Sequence, residues 1–169
     1  MMCADDIYRV VLFGHRDFEG HRIIDEYLSP LLKELIRTKP FTEIYIGHNG
    51  EFDVYAATVI KRLESSIGKE KHELICVLPY PNRNTEYYER YYDSVMIPDC
   101  VGKTHPKGAI TKRNRFMIEQ ADLLICYVER NEGGAYAALK YAKKLKKRVI
   151  NFADEDFRDL SALKTFLYM

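Results

Sequence analysis

The chain has 169 residues, with 26 Lys and Arg against 25 Asp and Glu and a formal net charge of +1. That length suits one domain, residues 1–169, with a sizeable core. The near-neutral balance argues against a generic nucleic-acid or membrane-surface binder, which would carry a large basic excess. Apolar runs reach only about seven residues, far short of the roughly 20 that span a bilayer.

The N-terminal stretch "MMCADDIYRVVLF" places acidic residues where an export signal needs basic ones. The cysteines Cys3, Cys76, Cys100 and Cys126 show neither CxxC nor Cys/His ligand spacing, so no metal site is expected. Cys76 and Cys126 fall inside apolar, strand-like runs. Buried free thiols without an export signal imply a reducing, cytoplasmic setting.

Ile7 to Phe13 reads as the first strand and breaks off at Gly14-His15-Arg16. The apolar spacing of Ile23, Ile24, Tyr27, Leu28, Leu31, Leu32, Leu35 and Ile36 predicts a helix over 21–38, with Pro30 inside it as a point of kinking or splitting. Lys39-Pro40 ends that element. Glu43 to Ile46 is a short second strand, followed by "GHNGEFD", in which Gly47 and Gly50 flank a loop. A helix over 52–66 is stopped by Gly68. Glu73 to Leu78 is the third strand, closed by Pro79.

Residues 79–93, "PYPNRNTEYYERYYD", give an exposed turn and then Tyr87, Tyr88, Tyr91 and Tyr92 as i,i+4 pairs on a short helix. The cluster suits either packing or a dimer contact, or else a lid or a nucleobase stack. Val95 to Ile97 reads as a small strand, 99–107 as a loop and 108–120 as a helix. Leu123 to Val128 is a continuous apolar run, the pattern of a strand covered on both faces. Gly133-Gly134 then turns the backbone. Ala135, Ala138, Leu139 and Ala142 mark one face of a helix, Val149-Ile150 starts a last strand, and a short helix follows Phe152.

Strands alternating with helices of crossover length specify an α/β fold, a mostly parallel sheet of five or six strands with helices on both faces. Ligands of such sheets bind at the carboxyl ends of strands. Three strand ends carry glycine here: Gly14, Gly47 and Gly133-Gly134. A glycine pair between a buried strand and a helix start exposes backbone N–H groups with the positive helix end behind them. It is an anion site or a plain tight turn; neither GxGxxG nor GxxxxGK[ST] is present to decide.

Arg16 can meet a phosphate through two guanidinium N–H groups, or form a surface ion pair. His15 beside it reads as a loop histidine rather than a catalyst, and is a candidate ligand-binding residue together with Gly14 and Arg16. Glu51 and Asp53 open the second helix, where carboxylates complement the dipole and cap free N–H groups. At a strand-end cleft a carboxylate also accepts hydrogen bonds from a ribose diol. Asn114 and Arg115, in "TKRNR", offer a second anion ligand, with Thr111, Arg115 and Ile118 on one helix face. The basic run from Lys143 to Arg148 solvates a helix C-terminus, with a nucleic-acid contact as the weaker alternative at this net charge.

"LFGHR", "IGHNGEFDVYAATVI" and "RNRFMIEQADLLICYVERNEGGAYAALKYAKKLKKRVI", in that order, resemble the SLOG superfamily. This is the Rossmann-like group that includes the DNA-processing DprA domain and the LOG enzymes, and the small stand-alone YpsA-like branch is the most similar. The resemblance implies a Rossmann-like three-layer sandwich, cytoplasmic and homo-oligomeric, that binds a nucleotide-derived small molecule and needs no cofactor. It matches Gly14 and Arg16 to the first-strand motif, and Gly47, Gly50 and Asp53 to the second loop. It matches Asn114 and Arg115 to the arginine-asparagine motif, and Gly133 and Gly134 to the phosphate-binding glycines. LOG enzymes carry "PGGxGTxxE", whose glutamate takes part in breaking the N-glycosidic bond. Here the stretch is "EGGAYAALK", with no such carboxylate.

The expected function is therefore binding or sensing of a phosphorylated ribose ligand such as ADP-ribose or NAD. The alternative is an N-glycosidic-bond hydrolase or transferase, with Asp53 or Glu51 as the catalytic carboxylate. A third reading is a protein or single-stranded DNA interaction module acting through the tyrosines. There Arg83 and Arg90 are offset by Glu86, Glu89 and Asp93, which makes a nucleic-acid partner the weakest of the three.

Overall fold

In this computed structural model, which describes residues 3–169, six strands form one sheet in the order β4-β3-β2-β1-β5-β6. The strands are β1 (Ile7–Gly14), β2 (Phe41–Ile46), β3 (His72–Val77), β4 (Ser94–Met96), β5 (Leu123–Tyr127) and β6 (Val149–Asn151). Every pairing is parallel. The helices between and after them are α1 (His21–Thr38), α2 (Glu51–Ile67), α3 (Thr85–Tyr91), α4 (Pro106–Gln120), α5 (Gly133–Lys144) and α6 (Leu160–Tyr168). The expected Rossmann-like architecture is what is observed.

Successive side chains on a strand face opposite ways, so one sheet feeds two cores. Val10, Leu12, Ile44, Ile46, Leu74 and Cys76 meet Leu28 and Leu32 of α1, Ala56 and Ile60 of α2, and Leu163 of α6. Their neighbours Val11, Tyr45, Ile75 and Val77 meet Met117 and Ile118 of α4 and Ala138 and Ala142 of α5. A sheet buried on both faces explains why its strands read as unbroken apolar runs.

Pro30 neither splits nor ends α1. The apolar face before it (Ile24, Leu28) and after it (Leu31, Leu32, Leu35) stays buried. The carbonyl that the missing N–H would have met belongs to exposed Glu26, which water can satisfy. Gly68 ends α2 with φ 75. Among the described residues, no helix is long and apolar enough to cross a membrane.

The strand order places β1 between β2 and β5. Helices α1 and α2 cover one face, whereas α4 and α5 cover the other. The loops after β1, β2 and β5 therefore end side by side at the carboxyl edge of the sheet, where connections diverge to opposite faces.

Candidate functional site

The loops after β1, β2 and β5 surround a cleft of about 450 Å³, with one face of α4 as its fourth wall. Gly14, His15, Arg16, Gly47, Gly50, Asp53, Asn114, Gly133 and Gly134 all line it. Arg115 does not: its guanidinium lies over the Tyr141 ring, 5.2 Å from the centroid. The arginine of this helix that faces the cleft is Arg113. Two residues along an α-helix turn through about 200°, so Arg113 and Arg115 point to opposite sides.

The same phase separates the two candidate carboxylates of α2. Asp53 lines the cleft. Glu51 turns away toward α1, where Oε1 lies 3.1 Å from His21 Nε2 and Oε2 accepts the Phe18 N–H at 3.3 Å. Of the two candidate reacting carboxylates, Asp53 thus lines the cleft and Glu51 lies outside it.

Arg113 is 3% exposed, an expensive position for a charge unless it is fully used. Its Nη1 donates to the Val77 carbonyl at 2.7 Å, and its Nε donates to Asn114 Oδ1 at 2.8 Å. With the Asn49 amide turned so that its oxygen faces the guanidinium, Nη2 donates to it at 2.7 Å. This arginine pins α4 to the end of β3 and shapes the cleft floor. Asp53 shares that floor and accepts the Asn49 N–H at 3.0 Å. Burial pushes its carboxyl above the usual range, against the Asn49 N–H and the Arg113 charge.

Gly47 leaves room for both groups. A Cβ there would lie 2.7 Å from Arg113 Nη1 and 2.9 Å from Asp53 Oδ2. Gly50 serves a similar purpose, since a Cβ would lie 2.6 Å from the Arg16 Cα; the Glu51 N–H donates to the Arg16 carbonyl at 2.7 Å across this close approach.

His15 is buried, and its Nε2 accepts the Arg130 backbone N–H at 3.2 Å. An accepting Nε2 fixes the neutral tautomer protonated at Nδ1. Burial, helped by the Arg130 charge, pulls the imidazole pKa below 6.5. Arg130 also grips the Asp17 carboxylate with two contacts, Nη1 to Oδ2 at 2.7 Å and Nη2 to Oδ1 at 2.9 Å, and its Nη2 donates to the Asp17 carbonyl at 3.0 Å. That pairing holds the Asp17 carboxyl down at about 2. Two of the cleft's arginines are thus committed to the protein itself. Arg16 is exposed, and among the described residues its side chain makes no hydrogen bond or ion pair.

The glycine pair opens α5, whose N-cap Glu132 makes no side-chain cap. Gly133 has φ 81, a conformation costly for other residues. Gly134 has no such constraint, and a Cβ built on either glycine meets nothing within 4 Å. The protein's own packing would admit a side chain at 134. Leaving it out keeps the first-turn N–H groups of α5 open to the cleft.

The tyrosine segment lies elsewhere. Tyr88 and Tyr92 are buried against His48, with the Tyr92 hydroxyl 2.7 Å from His48 Nδ1. Tyr87 is exposed, and none of the four lines the cleft. Among the described residues, no group of three or more His, Cys, Asp or Glu side chains is placed to hold a metal.

Sequence reasoning missed Asn49, Arg113 and Arg130. It also missed the apolar wall of Ile110 and Met117. The signal for the helix was present: Ile110, Arg113, Asn114 and Met117 are spaced i, i+3, i+4, i+7.

No protein-family model and no curated protein matches the chain. Among solved structures, the X-ray structure of DNA processing protein A (DprA) from Streptococcus pneumoniae aligns with a TM-score of 0.62 at 16% identity. The two share a fold. The alignment covers 85% of this chain and 49% of that one, so this chain spans about half of the DprA chain. At that identity the likeness speaks for architecture and not for a shared ligand.

Proposed function

We propose that the cleft binds a phosphorylated ribose ligand, an ADP-ribose, NAD or mononucleotide type of molecule. The observation that carries this reading is Gly134, a position without a side chain where the protein has room for one, at the uncapped start of α5. A phosphate there would be held by backbone N–H groups and the helix dipole. Arg16, with no partner among the described residues, supplies the counter-charge. Asp53 would repel a phosphate and instead suits the hydroxyls of a sugar. Its place among the small stand-alone YpsA-like proteins, its cytoplasmic setting and its homo-oligomeric state rest on the sequence and belong to this proposal.

Calorimetric titration with ADP-ribose, NAD and the mononucleotides tests the reading. We expect at least one of them to bind, and Arg16→Ala to weaken that binding. No heat with any of them removes the proposal.

A second reading, cleavage or transfer of an N-glycosidic bond, is favoured by Asp53. It is a buried cleft carboxyl with its pKa pushed upward, as a general acid requires. A product assay on nucleoside monophosphates tests this, and activity that survives Asp53→Asn counts against it.

A further inference from the structure

The cleft has two unlike sides. Arg16, Gly50 and Asp53 make one of them polar. The other lies between α4 and α5 and is apolar: Ile110 and Met117 from α4, Ala135 and Ala138 from α5, with Phe13 at the end of β1. The two alanines fill little of the cleft, so no large side chain from α5 plugs this side of it. An apolar slot between two helices, opening beside a glycine turn, suits a flat ring rather than a second charged group.

One polar group projects from that wall, and its orientation is fixed. Asn114 Oδ1 accepts from Arg113 Nε at 2.8 Å. Arg113 is itself locked by the Val77 carbonyl, so the amide cannot turn over without setting a donor against a donor. The amide nitrogen Nδ2 is left facing away from Arg113, and it makes no hydrogen bond among the described residues. Asn114 therefore offers the cleft an amide donor that no described residue uses.

We infer that the α4–α5 slot holds the planar nucleobase of a nucleotide, and that Asn114 Nδ2 donates to a carbonyl oxygen or unprotonated ring nitrogen on that base. This rests on the proposed ribose-phosphate reading and makes it more specific. The ligand is a nucleotide with its base in place, not a free sugar phosphate. Asn114 is a specificity residue, and Arg113 positions it.

The test compares ribose 5-phosphate with AMP, GMP, CMP and UMP on the same protein. At least one nucleotide should bind at least tenfold more tightly than ribose 5-phosphate. In Asn114→Asp, which keeps an oxygen for Arg113 Nε and removes only the donor, that preference should fall about tenfold, the effect of one good hydrogen bond. The new negative charge acts on the phosphate of both ligands, so the ratio of affinities cancels it. Half-buried Ile110 gives an independent variant, Ile110→Ala, which trims the slot and should lower the same ratio severalfold. Equal affinity for ribose 5-phosphate and every nucleotide overturns this assignment while the proposed function stands. An unchanged ratio in Asn114→Asp also overturns it. If neither class of ligand binds, both fail.

Discussion

The Nε2 of His15 accepts the backbone N–H of Arg130 at 3.2 Å, and so the loop after β1 is tied to the loop after β5 by an imidazole that must be neutral. Protonation would set a second donor against that N–H. Burial already holds the pKa of His15 below 6.5, and burial does the same for His48. A depressed folded-state pKa means that the unfolded chain takes up protons first as pH falls. Stability from these groups is thus present above about 6.5 and is lost from there down to the depressed folded values. Urea midpoints should fall between pH 7.5 and pH 5.5, and His15→Gln, which can still accept the N–H, should lessen the drop. An identical drop in the variant would show that His15 is not the group responsible.

Gly47 and Gly134 should respond in opposite ways to one methyl group. In Gly47→Ala the new Cβ collides with Arg113 Nη1 and Asp53 Oδ2. Displacing Arg113 breaks its bond to the Val77 carbonyl, at a cost of about 1–3 kcal/mol of stability. Gly134→Ala meets nothing within 4 Å and has no positive φ, so it should leave stability unchanged or raise it by about 0.5–1 kcal/mol. Its effect should appear in ligand affinity, as a loss of tenfold or more. Chemical denaturation and calorimetry on the two variants check the contrast.

Arg16→Ala removes a side chain that makes no hydrogen bond or ion pair among the described residues, so folding stability should not move. A charge-assisted hydrogen bond to phosphate contributes about 1.5–3 kcal/mol, which corresponds to a loss of roughly 10–100-fold in affinity. The salt dependence of binding should become shallower in the variant, because a cation facing the phosphate has gone. Equal affinity and equal salt dependence would place the phosphate away from Arg16.

Glu51 and Asp53 provide an internal control. Asp53→Asn keeps an oxygen for the Asn49 N–H but leaves buried Arg113 without its nearby negative charge, so both stability and affinity should suffer. Glu51→Gln lies outside the cleft, next to His21 and Phe18, and should leave affinity within about twofold. A larger effect from Glu51→Gln than from Asp53→Asn would reverse the assignment of these two side chains.

The strands, the parallel sheet and the glycine ends were legible because each leaves a local mark: an apolar run, a chain break, a small residue at a fixed place. What failed was helix phase. Arg115 and Glu51 each lie two residues from the group that enters the cleft, and a charged side chain gives apolar periodicity nothing to lock onto. Arg113 is buried by virtue of a carbonyl at Val77, an amide at Asn49 and an acid at Asp53, all of which meet it only after the chain has folded. The tyrosines left packing and stacking both open for a related reason. Alternate members of the cluster, Tyr88 and Tyr92, face inward to His48, and no local pattern announces that partner.

Strands β4 and β6 stand at the two margins of the sheet, whereas the loops that make the cleft spring from β1, β2 and β5. At the β6 border the C-terminal tail gives the cleft no wall, whereas the tyrosine helix α3 at the other border reaches it only through His48, which stands between Gly47 and Asn49. A descendant of this fold is free to lengthen, trim or decorate its borders, and to find new companions there, while the walls of the central cleft stay as they are.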